Sequence, residues 1–339
     1  MMEAAMPNKQ LLLLYCLCLY SSITQVQAAT YPLNLGIAGQ FNGFVLGNMN
    51  ANNSDVEGRL AVGGDLTLNH YSVGMQLNDS WNYRDTLVAG GSINYSNGRI
   101  YHGNARSGGT ANIDQSVGFY NTDPNNANGH YIPSNVLDFN TIANRLKAKS
   151  NFWGNLTATG NTTIDTYGAL KLHGTHAGLN IFTITAEYLK NTTSFWLDVP
   201  QKAWALINVR DNNVDLSNFA FYRTVNGEKQ QVRDNQPGVF RSDGNLSQRV
   251  LLNLVDATQL KIHGIGVKAS ILAPWANTTF YNGHINGNLI VASLQGKNGQ
   301  NSGQINNYPF ISIAEPPIVL LFLSILPFLL YFQRKSEVG

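Results

Sequence analysis

The 339-residue chain is poor in charge, at 12% against ~25% in an ordinary soluble domain. Its net charge of +2 gives no broad basic footprint, so nucleic acid is excluded as the expected partner. Polarity comes instead from 42 Asn beside 32 Gly, a composition that suits short strands and many turns and fits a helix bundle poorly.

Residues 1–28 read as a signal peptide. Lys9 supplies the positive region, Leu11 to Tyr20 the apolar run, and Val26-Gln27-Ala28 a pattern that places cleavage after Ala28. The run is short for the ~20 residues that span a bilayer, so removal is expected. Both cysteines, Cys16 and Cys18, lie in this leader. The mature chain is therefore without disulfides, thiolate nucleophiles or zinc–cysteine sites.

Residues 35–50 are apolar and glycine-rich and fit a short helix or a loop. Asp55, Glu57, Arg59 and Asp65 then form the densest charged cluster. Asp55 and Glu57 share a face if the stretch is a strand, an arrangement open to calcium binding or acid–base work. The structural alternative is an ion pair with Arg59 and a turn cap at Asp55. No metal site is expected; Asp55, Glu57 and Asp65 are the candidates for one.

Self-similarity follows. Arg59 to Leu68 (RLAVGGDLTL) is echoed 27 residues later by Thr86 to Tyr95 (TLVAGGSINY), and more faintly from Gly108 to Ile113. Ile271-Leu272-Ala273 and Ile290-Val291-Ala292 recur 19 residues apart around an Asn282-Gly283 turn. Short apolar strands returning at 18 to 27 residues, cornered by glycines that tolerate positive φ, predict the stacked coils of a β-solenoid. A β-sandwich is the alternative. One segment departs from this pattern. Phe139, Ile142, Ala143, Leu146 and Trp153 follow helical spacing, Asp138 can cap the start and Gly154 can end it, which predicts one amphipathic helix along the side of the sheet.

Little in the chain resembles chemistry. Asp123 to Gly129 lacks the alternating oxygens and closing glutamate of a calcium loop, and the seven histidines show no ligand spacing. No nucleophile elbow or phosphate-cradling loop occurs, so no catalytic residue, no cofactor and no enzymatic activity are expected. Aromatics near turns, with Trp81, Tyr83, Trp275 and Tyr281 foremost, are the candidate ligand contacts; internal stacking in the coils is their alternative role. At the other end, Ala314-Glu315-Pro316-Pro317 precedes an apolar run from Ile318 to Phe332, then Arg334 and Lys335. This predicts a membrane-retained tail, with the basic pair on the cytoplasmic side.

The segments Leu35-Gly36-Ile37-Ala38-Gly39-Gln40-Phe41-Asn42, Asn53 to Arg59 and Val62-Gly63-Gly64-Asp65-Leu66 resemble the opening of the bacterial choice-of-anchor A domain. Arg249 to Leu254, Ile271-Leu272-Ala273-Pro274, Asn286 to Ile290 and Asn307-Tyr308-Pro309-Phe310 are similar to its closing segments, in the same order. The resemblance implies an adhesive β-helix on the cell exterior, related to ice-binding-like solenoids that carry a helix beside the coil. The tail resembles a PEP-CTERM sorting signal through Glu315 and Pro316, departing at Ala314 where that signal has proline; the resemblance implies a sorting protease as a partner.

The expected architecture is thus mostly β: a right-handed β-solenoid (β-helix) over 29–312 with one amphipathic helix alongside, a signal peptide over 1–28, and a sorting and transmembrane tail over 313–339 that meets the membrane through 318–332. The expected function is a non-enzymatic, exported, surface-anchored adhesin that binds a matrix component, polysaccharide or cell-surface ligand. An ice-binding solenoid and a polysaccharide-active β-helix enzyme are the alternatives. The first needs a regular Thr-rich face, of which Thr157-Ala158-Thr159 and Thr162-Thr163 are the nearest approach, and the second needs aligned charges.

Overall fold

Apolar triplets bounded by glycine set the first stack of strands. Gly43–Val45, Leu60–Val62, Arg84–Ala89 and Gly103–Ser107 lie parallel and in register on successive rungs. Leu179–Thr185, Trp204–Arg210, Val250–Leu254, Ser270–Tyr281 and Leu289–Gln295 do the same. A computed structural model describes residues 32–77, 84–121, 127–233 and 247–313. One unit, Leu35–Ile311, contains all the coils. In the other, the described residues are joined by an Ile313 N–H to Leu33 C=O bond of 3.0 Å.

Reading across the rungs, one column runs Phe182, Ile207, Leu252, Ile271, Leu289, Gly43, Leu60, Leu87, Ala105, Tyr131. The chain therefore enters this stack in its middle. Gly43 pairs with Leu289 on one side and Leu60 on the other, so the first and last coils are neighbours.

The helix makes the reversal possible. α1, Phe139–Gly154, begins at Asp138, whose carboxylate accepts the Thr141 N–H at 3.0 Å and satisfies one orphan donor of the first turn. Its buried stripe is Phe139, Ile142, Leu146, Ser150 and Trp153. Phe139 packs on Phe44 with centroids 5.5 Å apart, while at the far end Asn208 donates to the Trp153 carbonyl at 2.8 Å. α1 thus carries the chain from the coils that follow Gly43 back to those that precede Leu289. The strands beneath it are buried on both sides, which is why they read as unbroken apolar runs such as Val250-Leu251-Leu252. That also explains a misreading of register. The sequence echo pairs Ile271 with Ile290, but the strands pair Leu272 with Ile290, an offset of 18; a run apolar on both faces has no alternation to fix the phase.

Three successive coils turn from the helix-covered face at a Gly-Gly corner, 63–64, 90–91 and 108–109. The first glycines, Gly63, Gly90 and Gly108, stack so closely that a Cβ on Gly90 would lie 2.3 Å from the Gly63 carbonyl oxygen. None of these corner glycines has positive φ, so the expected reason for glycine is corrected: close approach of backbones demands it, not handedness. The next corner does use the left-handed region. Asn53, His70 and Asn97 occupy it on successive rungs, as do Asn218, Gly264 and Asn282, and asparagine is the non-glycine residue that tolerates it best.

A separate five-stranded sheet, formed by Asn161–Ile164, Ala169–His173, Ser194–Asp198, Ala220–Val225 and Glu228–Gln231, has three parallel strands flanked by an antiparallel one at each edge. A second short helix, α2, Ala186–Asn191, packs against Asn213–Ser217 and was not anticipated. The undecided stretch 35–50 is a 3₁₀ helix, Gly36–Gln40, followed by the first strand. Among the described residues no helix is long and apolar enough to cross a membrane. The signal-cleavage residue Ala28, the Asp123 loop residues 122–126, the sorting residues Glu315 and Pro316 and the span 318–332 lie outside the described residues.

Candidate functional site

Between the two kinds of corner lies a second face, with α2 packed at its Asn213–Ser217 strand. Its inward column is Val214, Leu260, Thr278, Leu294, Met49, Leu66, Ile93 and Ala111, all but the last buried. Because side chains alternate along a strand, the residues one step on form an outward row: Asp215, Lys261, Thr279, Gln295, Asn50, Thr67, Asn94, Asn112. From Thr279 to Asn112 this row is uncharged across six neighbouring rungs, and five of its six members are exposed. Rungs in a sheet stand ~4.8 Å apart, so the row offers donors and acceptors at a constant repeat.

The side chains tie to one another rather than wave in solvent. Asn112 Nδ2 donates to Asn94 Oδ1 at 3.2 Å, Gln295 Nε2 to Thr279 Oγ1 at 3.3 Å and Ser293 Oγ to Asn277 Oδ1 at 2.7 Å. At the glycine corner beside the row, Asn48 accepts from the Asp65 N–H at 2.9 Å and Asp65 from the Ser92 N–H at 2.8 Å. These bonds restrain the amides and hydroxyls at the two ends of the row, while the backbone pairing of the strands sets its register.

The charged cluster of the first coil does not gather into one site. Asp65 is a corner residue of the open face, whereas Asp55 sits on a different face, accepting from Gln304 Nε2 at 3.2 Å. Glu57 is buried and accepts the Asn307 N–H at 2.9 Å. Arg59 donates Nε–H to the Asp85 carbonyl at 2.8 Å and lies over Phe41. No three of His, Cys, Asp and Glu converge as metal ligands among the described residues.

Burial raises the Asp55 carboxyl to about 6; the Gln304 bond pulls it down and the neighbouring Glu57 charge pushes it up again. Between the ordinary carboxylate value and about 6 the folded chain therefore keeps a proton that the unfolded chain has lost. The fold loses stability as pH rises through that window, and the loss is complete above it. Asp55→Asn is expected to flatten this slope and to raise Tm at pH 7 by about 2–4 °C, allowing for solvent screening of a partly exposed group. Thermal unfolding of both proteins at pH 4 and pH 7 checks it: a variant less stable at pH 7 contradicts the reading.

Of the aromatics, Trp275 is half-buried at the irregularity between Ala273 and Asn277. Tyr281 is buried, its ring stacked on His263 with centroids 5.1 Å apart. Trp81 and Tyr83 lie outside the described residues. Tyr71, Tyr95 and Phe280 are core, the internal-stacking role. Thr157 and Thr159 precede the edge strand Asn161–Ile164, which holds Thr162 and Thr163, so neither threonine pair belongs to the open face. Sequence reasoning missed the row Asn50–Thr67–Asn94–Asn112. The signal was present in the echo, whose offset of 27 already aligns Thr67 with Asn94.

The family model described as "Putative Ice-binding-like adhesive domain" matches residues 34–307. No curated protein matches the sequence. Solved structures similar to the chain include an ice-binding protein from the Antarctic ascomycete Antarctomyces psychrotrophicus, at 12% identity and a TM-score of 0.36, covering 81% of this chain and 98% of that one. A glycosylated ice-binding protein from an Arctic yeast gives 12% identity and 0.30, covering 82% and 94%. One from an Antarctic Flavobacteriaceae bacterium gives 10% and 0.26, covering 83% and 82%. At these scores the structural likenesses carry no inference about binding. The family match spans most of the chain, and the protein belongs to the ice-binding-like adhesive domain family.

Proposed function

We propose that this protein is a non-enzymatic adhesive module, exported and held at the cell surface, whose open face recognises an extended, repetitive surface such as a polysaccharide or matrix polymer. The observation that supports this reading is the uncharged outward row from Thr279 to Asn112, repeated rung by rung, with hydrogen bonds joining the pair at each end. A preorganised row loses little side-chain freedom when it binds a partner of matching repeat. The signal peptide over 1–28, the tail over 313–339 with its membrane span and sorting protease, and the choice-of-anchor A relationship belong to the same proposal.

Ice is the second reading of what that surface is. The same row favours it, since an uncharged array at a constant repeat can order water along that repeat, and the family description points the same way.

Asn94→Trp places a bulky ring at the centre of the row, at an exposed position where the core is untouched. Binding is expected to fall at least about tenfold while Tm stays within about 1 °C. A glycan and matrix-polymer array, run beside an ice-recrystallisation assay on the same preparations, reads both surfaces. Undiminished binding by Asn94→Trp on every surface would remove the open face from the mechanism.

A further inference from the structure

The open face changes character beyond Thr279. There its outward row continues through Lys261 and Asp215 into a recess of about 870 Å³, lined also by Glu187 and Lys190 of α2, by Asp211 and by Lys297, so that three ammonium groups share it with three carboxylates. The volume falls within the ~300–1,000 Å³ typical of small-ligand clefts.

Two of its ammonium groups are held in place. Lys261 Nζ lies 3.5 Å from Asp215 Oδ2, and the other oxygen of Asp215 is 3.4 Å from His263 Nε2. The His263 ring stacks on Tyr281 with an interplanar angle of 2°, and Lys297 Nζ sits 4.8 Å above the same tyrosine ring. Asp215 thus pairs with Lys261, and Tyr281, with His263 stacked on it, lies under Lys297 in a cation–π contact. Lys190 adds a third, exposed ammonium. Asn213, Gln259 and Thr279 line the same recess with neutral donors and acceptors.

We infer that this recess binds an anionic sugar residue of a polysaccharide, its carboxylate or sulfate on Lys261 and Lys297 and its hydroxyls on the amides and Thr279. The inference goes beyond the open-face reading. Flat recognition uses uncharged groups at constant spacing, whereas a walled pocket with fixed ammonium groups selects a single charged unit.

Calorimetric titration of the full chain with oligogalacturonate, sulfated dextran and neutral dextran tests it. At least one anionic polymer is expected to bind saturably, about tenfold or more tighter than neutral dextran. Lys297→Met is expected to weaken that binding about tenfold, whereas Lys202→Met, which removes the same charge from an exposed turn, leaves it unchanged. Preference for galacturonate assigns carboxylate recognition, and preference for sulfated dextran assigns sulfate. Equal binding of neutral dextran, no saturation by either anionic polymer, or equal loss in the two lysine variants overturns the inference. Asn94→Trp separates the two readings: it should leave anionic binding intact, and loss of that binding in this variant would move the ligand to the flat row and away from the recess.

Discussion

Gly90→Val is expected to cost more than about 4 kcal/mol, seen as a drop in Tm of about 10 °C or as failure to fold. The reason is geometric. A Cβ at position 90 would stand 2.3 Å from the Gly63 carbonyl oxygen and 3.2 Å from the Phe139 ring. That oxygen cannot retreat, because the corner is itself a backbone ladder: Gly63 N–H bonds Val45 at 2.8 Å and Gly90 N–H bonds Val62 at 2.7 Å. Rungs on both sides and α1 on top leave no direction for relief. Gly299→Ala is the control. It has open space around it and a φ of +74°, so only left-handed strain of about 1 kcal/mol is expected. Equal losses at both positions, by denaturant titration, would show that conformational freedom rather than close stacking sets the glycine requirement.

Trp153→Ala should be the next most damaging change, at about 3–5 kcal/mol. Trp153 is 1% exposed, so truncation leaves a cavity where α1 meets the strands. The same helix turn anchors a buried polar network. Ser150 Oγ donates to Asn253 Oδ1 at 2.6 Å, and Asn253 Nδ2 donates to Asn208 Oδ1 at 2.9 Å. Loosening the helix puts those groups at risk of losing partners in a dry interface, where an unsatisfied amide costs about 1–3 kcal/mol. Hydrogen exchange should show α1 losing protection before the coils do. A loss below about 1 kcal/mol, with α1 protection unchanged, would mean that the stacked coils carry the fold without the helix.

Several elements were legible in the residues. The spacing from Phe139 to Trp153 and the Asp138 cap specify α1 almost to the residue, because helical periodicity and capping act within a few residues of chain. The echo between Arg59–Leu68 and Thr86–Tyr95 is realised as neighbouring rungs, with Leu60 on Leu87 and Leu66 on Ile93. The seam between Gly43 and Leu289 was not legible. Two coils that touch there are separated by most of the chain, and neither carries a mark that distinguishes a seam from an ordinary rung.

The candidate site divides the same way. Charge drew the sequence argument to Asp55, Glu57 and Asp65, yet each serves a separate hydrogen bond between coils, to Gln304, Asn307 and Ser92. The open row was overlooked because its members are ordinary asparagines, two threonines and a glutamine, 16 to 27 residues apart on either side of the seam and 245 apart across it. Lys261 and Lys297 are equally plain in sequence. They acquire meaning when a strand and a later turn bring them to one recess.

The sequence by itself determined a strand-rich, weakly charged solenoid of glycine-cornered coils with one capped helix, since turn chemistry, alternation and periodicity are local properties. Only the tertiary structure decided where the chain enters its own stack, which face the helix covers and which side chains line up on the second face. Those outcomes depend on burial shared between distant coils, and side chains become a row only when neighbouring rungs are set in register.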